Sequence, residues 1–364
     1  MTHFDESARR AIDAKTKPLG ALGRLEDIAV RLAVLQGTLA PRVDVARACV
    51  FAGDHGVTAE GVSAYPSAVT AEMMKNFVRG GAAINVIART HSIDVEVIDV
   101  GVDADLTALE GIRHANVRRG TRNFAVEAAM TDAELDAALA VGADAAQRAA
   151  TSGVQVLCLG EMGIGNTTSA SALLSALTGQ PASVTVGRGT GVDNSGLERK
   201  RVVVDRAIAR HGLLHPGTNA RDHLRCVGGL EIAAIAGGAI EAARRRIAVV
   251  ADGFISTVAI ACAARLAVAE HDETALRLRE ALFFSHRSAE WAHALALGVC
   301  GATIGADARP LLELDMRLGE GTGAAMAVPL LRTAAAILCD MATFASANVS
   351  AGNHAADHRE GTES

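Results

Sequence analysis

The chain has 364 residues, with 35 Lys and Arg against 41 Asp and Glu, for a formal charge of −6 with the histidines neutral. That balance argues against nucleic acid or an anionic membrane surface as the main partner. Half of the residues are apolar, only 3 % are aromatic and Ala and Gly abound, which fits closely packed helices and strands in one large α/β domain with an appendage, or in two domains.

Met1 to Arg10 lack the basic-then-apolar order of a secretory signal. Residues 7–36 read as helix broken in the middle, because Lys17-Pro18-Leu19-Gly20-Ala21-Leu22-Gly23 places one proline and two glycines between helical flanks. Ala46–Ala52 is a short apolar run closed by Gly53-Asp54-His55-Gly56, the pattern of a buried parallel strand. Asp54 and His55 fall short of a metal site, which needs three or four ligands, and read better as a polar turn beside a cleft. Ser63-Ala64-Tyr65-Pro66 leads into a helix over 67–77. Tyr65, the one tyrosine, either flanks an aromatic ligand or packs. A second strand is expected over 95–102. An Ala-rich helix over 131–150 is entered through Thr131 and Glu134 at capping-box spacing.

Val154–Leu159 is the clearest buried strand. It delivers Gly160-Glu161-Met162-Gly163-Ile164-Gly165-Asn166-Thr167-Thr168 at the start of a small-residue helix. Strand, glycine turn and helix start form an anion-binding unit, since free N–H groups and the helix dipole face the ligand. The Gly-Lys-Ser/Thr ending of a P-loop is missing. The helix over 195–211 carries Arg199-Lys200-Arg201, either a solvated basic face or the source of a cation for a phosphate, with Lys200 the natural choice. A further strand is expected over 246–251, ending in Asp252. Ser285-His286-Arg287-Ser288-Ala289-Glu290 is expected after a helix, with His286 either catalytic or a hydrogen-bonding loop member. Met316-Arg317-Leu318-Gly319-Glu320-Gly321-Thr322-Gly323 sets one carboxylate among three glycines, before a helix over 324–339. Read alone, Glu320 either favours the dipole of that helix or is aimed into a cleft. The stretch from Ser350 onward is polar and expected to fray.

No run of about 18 uninterrupted apolar residues occurs, so no membrane span is expected. The six cysteines stand singly without a Cys-x-x-Cys pair, which fits buried thiols in a reducing cytoplasm better than disulfides or zinc. Strands alternate with helices and the polar glycine turns close the strands. The expected fold is a parallel α/β sheet with one composite cleft.

Six motifs, in order, carry a resemblance. They are Lys17–Glu26, Gly53–Val57, Gly61–Pro66, Gly160–Thr168, Ser285–Glu290 and Arg317–Gly323. Together they closely resemble the nicotinate-nucleotide–dimethylbenzimidazole phosphoribosyltransferase family of cobalamin lower-ligand synthesis, from about residue 10 to about residue 348. The resemblance implies a Rossmann-like parallel sheet flanked by helices over 41–320, with a smaller helical domain built from both chain ends, 1–40 together with 321–364. It implies a homodimer without metal or cofactor. The implied reaction moves 5-phosphoribosyl from nicotinate mononucleotide to 5,6-dimethylbenzimidazole, giving α-ribazole 5′-phosphate and nicotinate.

The family's catalytic base maps onto Glu320. The phosphate and ribose side maps onto Gly163, Gly165, Asn166, Thr167 and Lys200, with Glu161 and Asp252. Ser63, Tyr65, Met316 and Leu318 are expected at the base pocket, and Asp54, His55, Ser288, Glu290, Arg317 and Gly319 elsewhere in the cleft. Three places depart from the family pattern: Ala21, the turn Ala129-Met130-Thr131, and Trp291-Ala292 after Glu290, where Trp291 would reshape the pocket rim.

The residue types suit this chemistry. A pyridinium leaving group needs no general acid. The attacking benzimidazole must lose its second ring proton, so one carboxylate suffices. Met316 and Leu318 beside Glu320 are expected to raise its pKa. Glu161 or Asp252 is expected to stabilise an oxocarbenium-like charge. The apolar Ile232–Ala243 helix has little polar surface and suggests self-association. A dinucleotide-dependent dehydrogenase would need Gly-x-Gly-x-x-Gly after the first strand, which is absent, and a binding-only relative would be marked by loss of Glu320.

Overall fold

The computed structural model describes residues 3–189 and 191–350, so all of the polar end beyond Ser350 lies outside the described residues. The chain divides into two compact units, 43–329 and 1–42 with 330–364. The division falls inside the final helix, Thr322–Asp340, after Pro329.

The larger unit holds six strands: β1 (Ala46–Gly53), β2 (Asp94–Gly101), β3 (Arg113–His114), β4 (Val156–Met162), β5 (Ala248–Ala251) and β6 (Leu282–Phe284). They form one parallel sheet in the order β3-β2-β1-β4-β5-β6. β4 and β5 are almost wholly buried, as near-continuous Val, Leu and Ala runs demand when helices cover both faces. β1 and β4 pair from Ala46↔Val156 to Ala52↔Met162. The chain winds outward from β1 to β3, then returns to start the other half at β4. The carboxyl ends of β1 and β4 therefore meet at the switch point where doubly wound sheets open a crevice.

β6 departs from expectation. A helix is expected before Ser285 and no strand, but Leu282-Phe283-Phe284 stand between the Asp272–Ala281 helix and Ser285 and pair with β5 from Val249↔Leu282 to Ala251↔Phe284. Three apolar residues following a helix with no intervening turn show no period of their own.

The Asp132–Thr151 helix is capped as expected. Glu134 N donates to Thr131 Oγ1 at 3.2 Å and Thr131 N to Glu134 Oε2 at 2.7 Å. It packs on the Leu230–Arg244 helix at backbone contact: a Cβ on Gly142 would lie 1.7 Å from the Ala234 carbonyl oxygen, and one on Gly237 2.0 Å from that of Leu139. Nearly every residue of Leu230–Arg244 is buried within the chain. Its apolar surface is thus already covered and gives no ground for self-association.

In the smaller unit the expected break separates His3–Asp13 from Arg24–Gln36. Lys17 Nζ sits 2.9 Å from Glu26 Oε1 with both side chains buried, and the same oxygen accepts from Leu22 N at 2.9 Å. Lys15 Nζ donates to the Met341 carbonyl at 2.7 Å, and a bridge joins Lys15 to Thr343, tying the two chain ends together. The cysteines carry thiols; five are buried, but Cys339, expected inside, is exposed near the end of its helix. That helix, Thr322–Asp340, has the length and mean hydropathy (1.5) of a bilayer span by composition alone. Pro329 and Arg332 interrupt its apolar run, and Ala324, Ala325, Ala327 and Val328 are buried.

Candidate active site

The turn after β4 is built on close approach. A Cβ on Gly163 would stand 2.1 Å from the Gly53 carbonyl oxygen, and one on Gly165 3.1 Å from His55 Cβ. Only glycine lets the ends of β1 and β4 touch. Gly165, at φ 99°, turns the chain into the Asn166–Thr178 helix, where Asn166 N donates to the Gly163 carbonyl at 3.2 Å, Thr168 N to that of Gly165 at 3.0 Å and Ile164 N to Thr70 Oγ1 at 3.1 Å. Asn166 Nδ2 donates a short hydrogen bond back to the Glu161 carboxylate.

This turn forms one wall of a cavity of about 560 Å³. Asp252 to Ile255 after β5 and His286, Ser288 and Glu290 after β6 supply the next wall. Arg317 to Glu320 and Tyr65, Val69 and Met73 also line it.

Gly319, Glu320 and Gly321 all have left-handed backbone, at φ 89°, 62° and 85°. For glutamate this conformation costs on the order of 1–3 kcal/mol and persists only where neighbours enforce it. Here Glu320 N donates to the Glu161 carbonyl at 3.2 Å, and Thr322 Oγ1 to that of Gly319 at 2.8 Å. β4 lies so close that a Cβ on Gly160 would be 2.4 Å from Gly321 N. The Glu320 carboxylate turns away from its own helix. Its Oε2 accepts from Ile84 N at 3.2 Å, at the start of the Ala83–Thr90 helix. The acid at the N-terminus of Thr322–Asp340 is Asp252, which accepts from Gly321 N at 3.2 Å and Ala324 N at 3.0 Å.

Burial raises the Glu320 pKa above the ordinary 4.5; the Ile84 N–H opposes this and the charge of Asp252 adds to it. Leu318, 58 % exposed, and half-buried Met316, outside the lining, do not supply that burial. Glu161 is raised well above 4.5 by burial and by the charges of Asp252, Glu231 and Glu320. Asp252 is raised by burial, against His286 and the N–H groups of Ala324, Gly321 and Gly323.

Lys200 is buried while Arg199 is exposed, so the basic triplet divides between the two alternatives. Its Nζ donates to Thr167 Oγ1 at 3.1 Å, behind the cavity wall. Burial lowers its pKa to about 8, with Glu290 opposing. Arg199 reaches the Gly61 carbonyl at 2.9 Å.

Glu161, Gly163, Asn166, Thr167, Tyr65, Asp252, Ser288, Glu290, Arg317, Leu318, Gly319 and Glu320 thus converge on one cavity. Ser63, Asp54, His55, Gly165, Lys200 and Met316 are not in its lining. Ser63 Oγ accepts from Tyr65 N at 3.1 Å and shapes the turn. Asp54 is spent on Thr70 Oγ1 (2.7 Å) and Asp103 N (2.9 Å). His55 Nε2 pairs at 2.8 Å with Glu231 Oε1, both side chains wholly buried beneath the turn. Trp291 is 73 % exposed and lies against Gly187, not in the cavity lining.

Sequence reasoning missed Val69 and Met73, whose i, i+4 spacing reads as ordinary packing. It also missed Glu231, although one acid in the apolar run Leu230-Glu231-Ile232-Ala233 was a visible signal. Among the described residues, no three His, Cys, Asp or Glu side chains converge as metal ligands do.

A family model described as phosphoribosyltransferase matches residues 2–349. The chain is 49 % identical over 348 residues to a nicotinate-nucleotide–dimethylbenzimidazole phosphoribosyltransferase of Pseudomonas putida, covering 94 % of this chain and 93 % of that one. It is 48 % identical to one of Ralstonia nicotianae, covering 94 % and 92 %. The crystal structure of CobT from Thermus thermophilus superposes with a TM-score of 0.88 at 47 % identity, over 96 % of this chain and all of that one.

Proposed function

The chain belongs to the nicotinate-nucleotide–dimethylbenzimidazole phosphoribosyltransferase family, and we propose from this that it moves 5-phosphoribosyl from nicotinate mononucleotide to 5,6-dimethylbenzimidazole in cobalamin lower-ligand synthesis. The observation that carries the reading is the buried Glu320 carboxylate, held by Ile84 N in the lining of the same cavity as a glycine turn that opens a helix.

The phosphate is assigned to the Gly163–Thr167 turn, where the positive end of the helix dipole favours an anion. Lys200 adds positive charge from behind Thr167. The C1′–N bond to the pyridinium breaks with its electron pair going to the ring nitrogen, so nicotinate leaves without a proton donor. The free imidazole nitrogen of the base forms the new C1′–N bond from the opposite face, which turns a β-linkage into an α-linkage. The other ring N–H becomes acidic and passes its proton to Glu320, whose raised pKa makes it the better acceptor. Glu161, in contact with Asn166, faces the developing ribose charge. Tyr65, Val69 and Leu318 offer the flat apolar wall that an aromatic base requires.

Every residue given a role here lies in the 43–329 unit. We further infer a cytoplasmic homodimer, from the family resemblance and from the thiol state of the cysteines; a monomer mass by light scattering at micromolar concentration counts against the assembly. The test of the reaction is incubation with nicotinate mononucleotide and 5,6-dimethylbenzimidazole. Equimolar nicotinate and α-ribazole 5′-phosphate are expected, and neither product at any enzyme concentration sinks the reading.

A further inference from the structure

Asp252 follows β5 directly, and its carboxylate is buried at the cavity wall. Both oxygens are engaged by backbone. Oδ2 accepts from Gly321 N and Oδ1 from Ala324 N. On its other side His286 Nε2 stands 3.9 Å from Oδ1, with the imidazole packed where a Cβ on Gly323 would be 2.0 Å from its Cδ2. Asp252 therefore fastens the C-terminal side of the turn that carries Glu320, while β4 crowds its face at Gly160.

The turn needs such a fastening. Glu320 stands at φ 62°, which a glutamate leaves when it can. Released, residues 319–321 have a ready alternative, right-handed extension of the Thr322–Asp340 helix by one turn. That change rotates Glu320 away from Ile84 N and out of its present place in the cavity.

We propose that Asp252 is the positioning residue of Glu320, holding the left-handed turn open through the peptide N–H groups of Gly321 and Ala324. This rests on the transfer reading above, and it differs from a direct role for Asp252 at the ribose. A carboxylate acting on the ribose contributes independently of the base, whereas a positioning carboxylate contributes only through it.

A double-mutant cycle separates the two. Asp252→Asn keeps the size of the side chain but offers an amide to one of the two N–H donors. It should lower kcat roughly 10- to 100-fold, the scale of an ångström-sized misplacement, with the KM for nicotinate mononucleotide within a few-fold of wild type. In an E320Q background the same change should cost less than about 3-fold, because the base it positions is already gone. Losses that multiply, or a loss carried by that KM, overturn the proposal.

Gly321→Ala strains the turn at φ 85° and leaves the Asp252 carboxylate in place. It should repeat the pattern, a large loss alone and a small one with E320Q, and multiplying losses there count equally against it. Calorimetric binding of nicotinate mononucleotide verifies that each variant is folded. A crystal structure of Asp252→Asn gives an answer independent of turnover: Glu320 should adopt negative φ and leave Ile84 N, and an unmoved Glu320 ends the proposal. If wild type itself releases no nicotinate, the transfer reading has failed, and the crystallographic arm still decides this one.

Discussion

Two glycine turns line the same cavity, and they use glycine for opposite ends. In Gly163-Ile164-Gly165 the glycines remove side chains so that β1, His55 and a ligand can come near the backbone. The anion site proposed there belongs to the backbone and the helix dipole. In Gly319-Glu320-Gly321 the glycines flank a residue that shares their left-handed backbone, and the functional atoms belong to that one side chain. The first turn is relaxed and continues into its helix. The second is strained and held from outside by Asp252, Glu161 and β4. A backbone site tolerates loss of any one side chain; a side-chain site does not.

The largest effect expected from that contrast is on Glu320. Glu320→Gln keeps size and hydrogen-bonding reach but cannot take the proton, so turnover should fall roughly 10²- to 10⁴-fold. The wild-type rate should rise with pH through one ionisation above the ordinary 4.5, because burial raises Glu320 and only its charged form is a base. The variant should lack that limb. Turnover within a few-fold of wild type at neutral pH moves the base to another residue.

At the first turn the effect should be smaller and of another kind. Lys200→Ala removes a charge behind Thr167 and leaves the turn's N–H groups intact. Losing one charge-assisted contact, about 1.5–3 kcal/mol, raises the KM for nicotinate mononucleotide roughly 10- to 150-fold. The KM for the base should barely change. Equal effects on both substrates would show that Lys200 serves the whole cavity.

The smallest effect concerns stability at the point where the two turns meet, Glu161. Its folded-state pKa is raised, so between 4.5 and that raised value the folded chain holds a proton that the unfolded chain has released. Its contribution is full below 4.5 and lost as pH rises through the folded value. Glu161→Gln should therefore flatten the fall of Tm with rising pH, by about 2 °C or more. Parallel wild-type and variant Tm curves would place the raised proton affinity elsewhere.

The two turns also differ in how they read from sequence. The strand–glycine–helix order of 154–168 announces an anion site by local physics, and the structure put Gly163, Asn166 and Thr167 in the cavity lining. Glu320 was ambiguous by local physics, since an acid before a helix ordinarily serves that helix. The resemblance chose the other reading. What decides it physically, Ile84 N and Asp252, lies 236 and 69 residues from its partners in the turn. Asp54 and His55 show the converse: a polar turn at a strand end looked like cleft, but its side chains fold under to satisfy Thr70, Asp103 and Glu231. β6 escaped because three residues have no period, and only pairing with β5 defines them.

The contact between the Asp132–Thr151 and Leu230–Arg244 helices inverts the usual vulnerability of a protein interior. Most cores are weakened by trimming, because large side chains leave voids. Here carbonyl oxygens already occupy the places where side chains of Gly142 and Gly237 would begin. Little is left to trim, and the damaging change is an added methyl. Such a wedge would push the Leu230–Arg244 helix outward along its length, and its first turn carries Glu231, which grips His55 beneath the glycine turn. An alanine far from the cavity would in this way be felt at the glycine turn that lines it. The Ala- and Gly-rich composition is thus a record of tolerances: in this interior, growth is the hazard and smallness is the function.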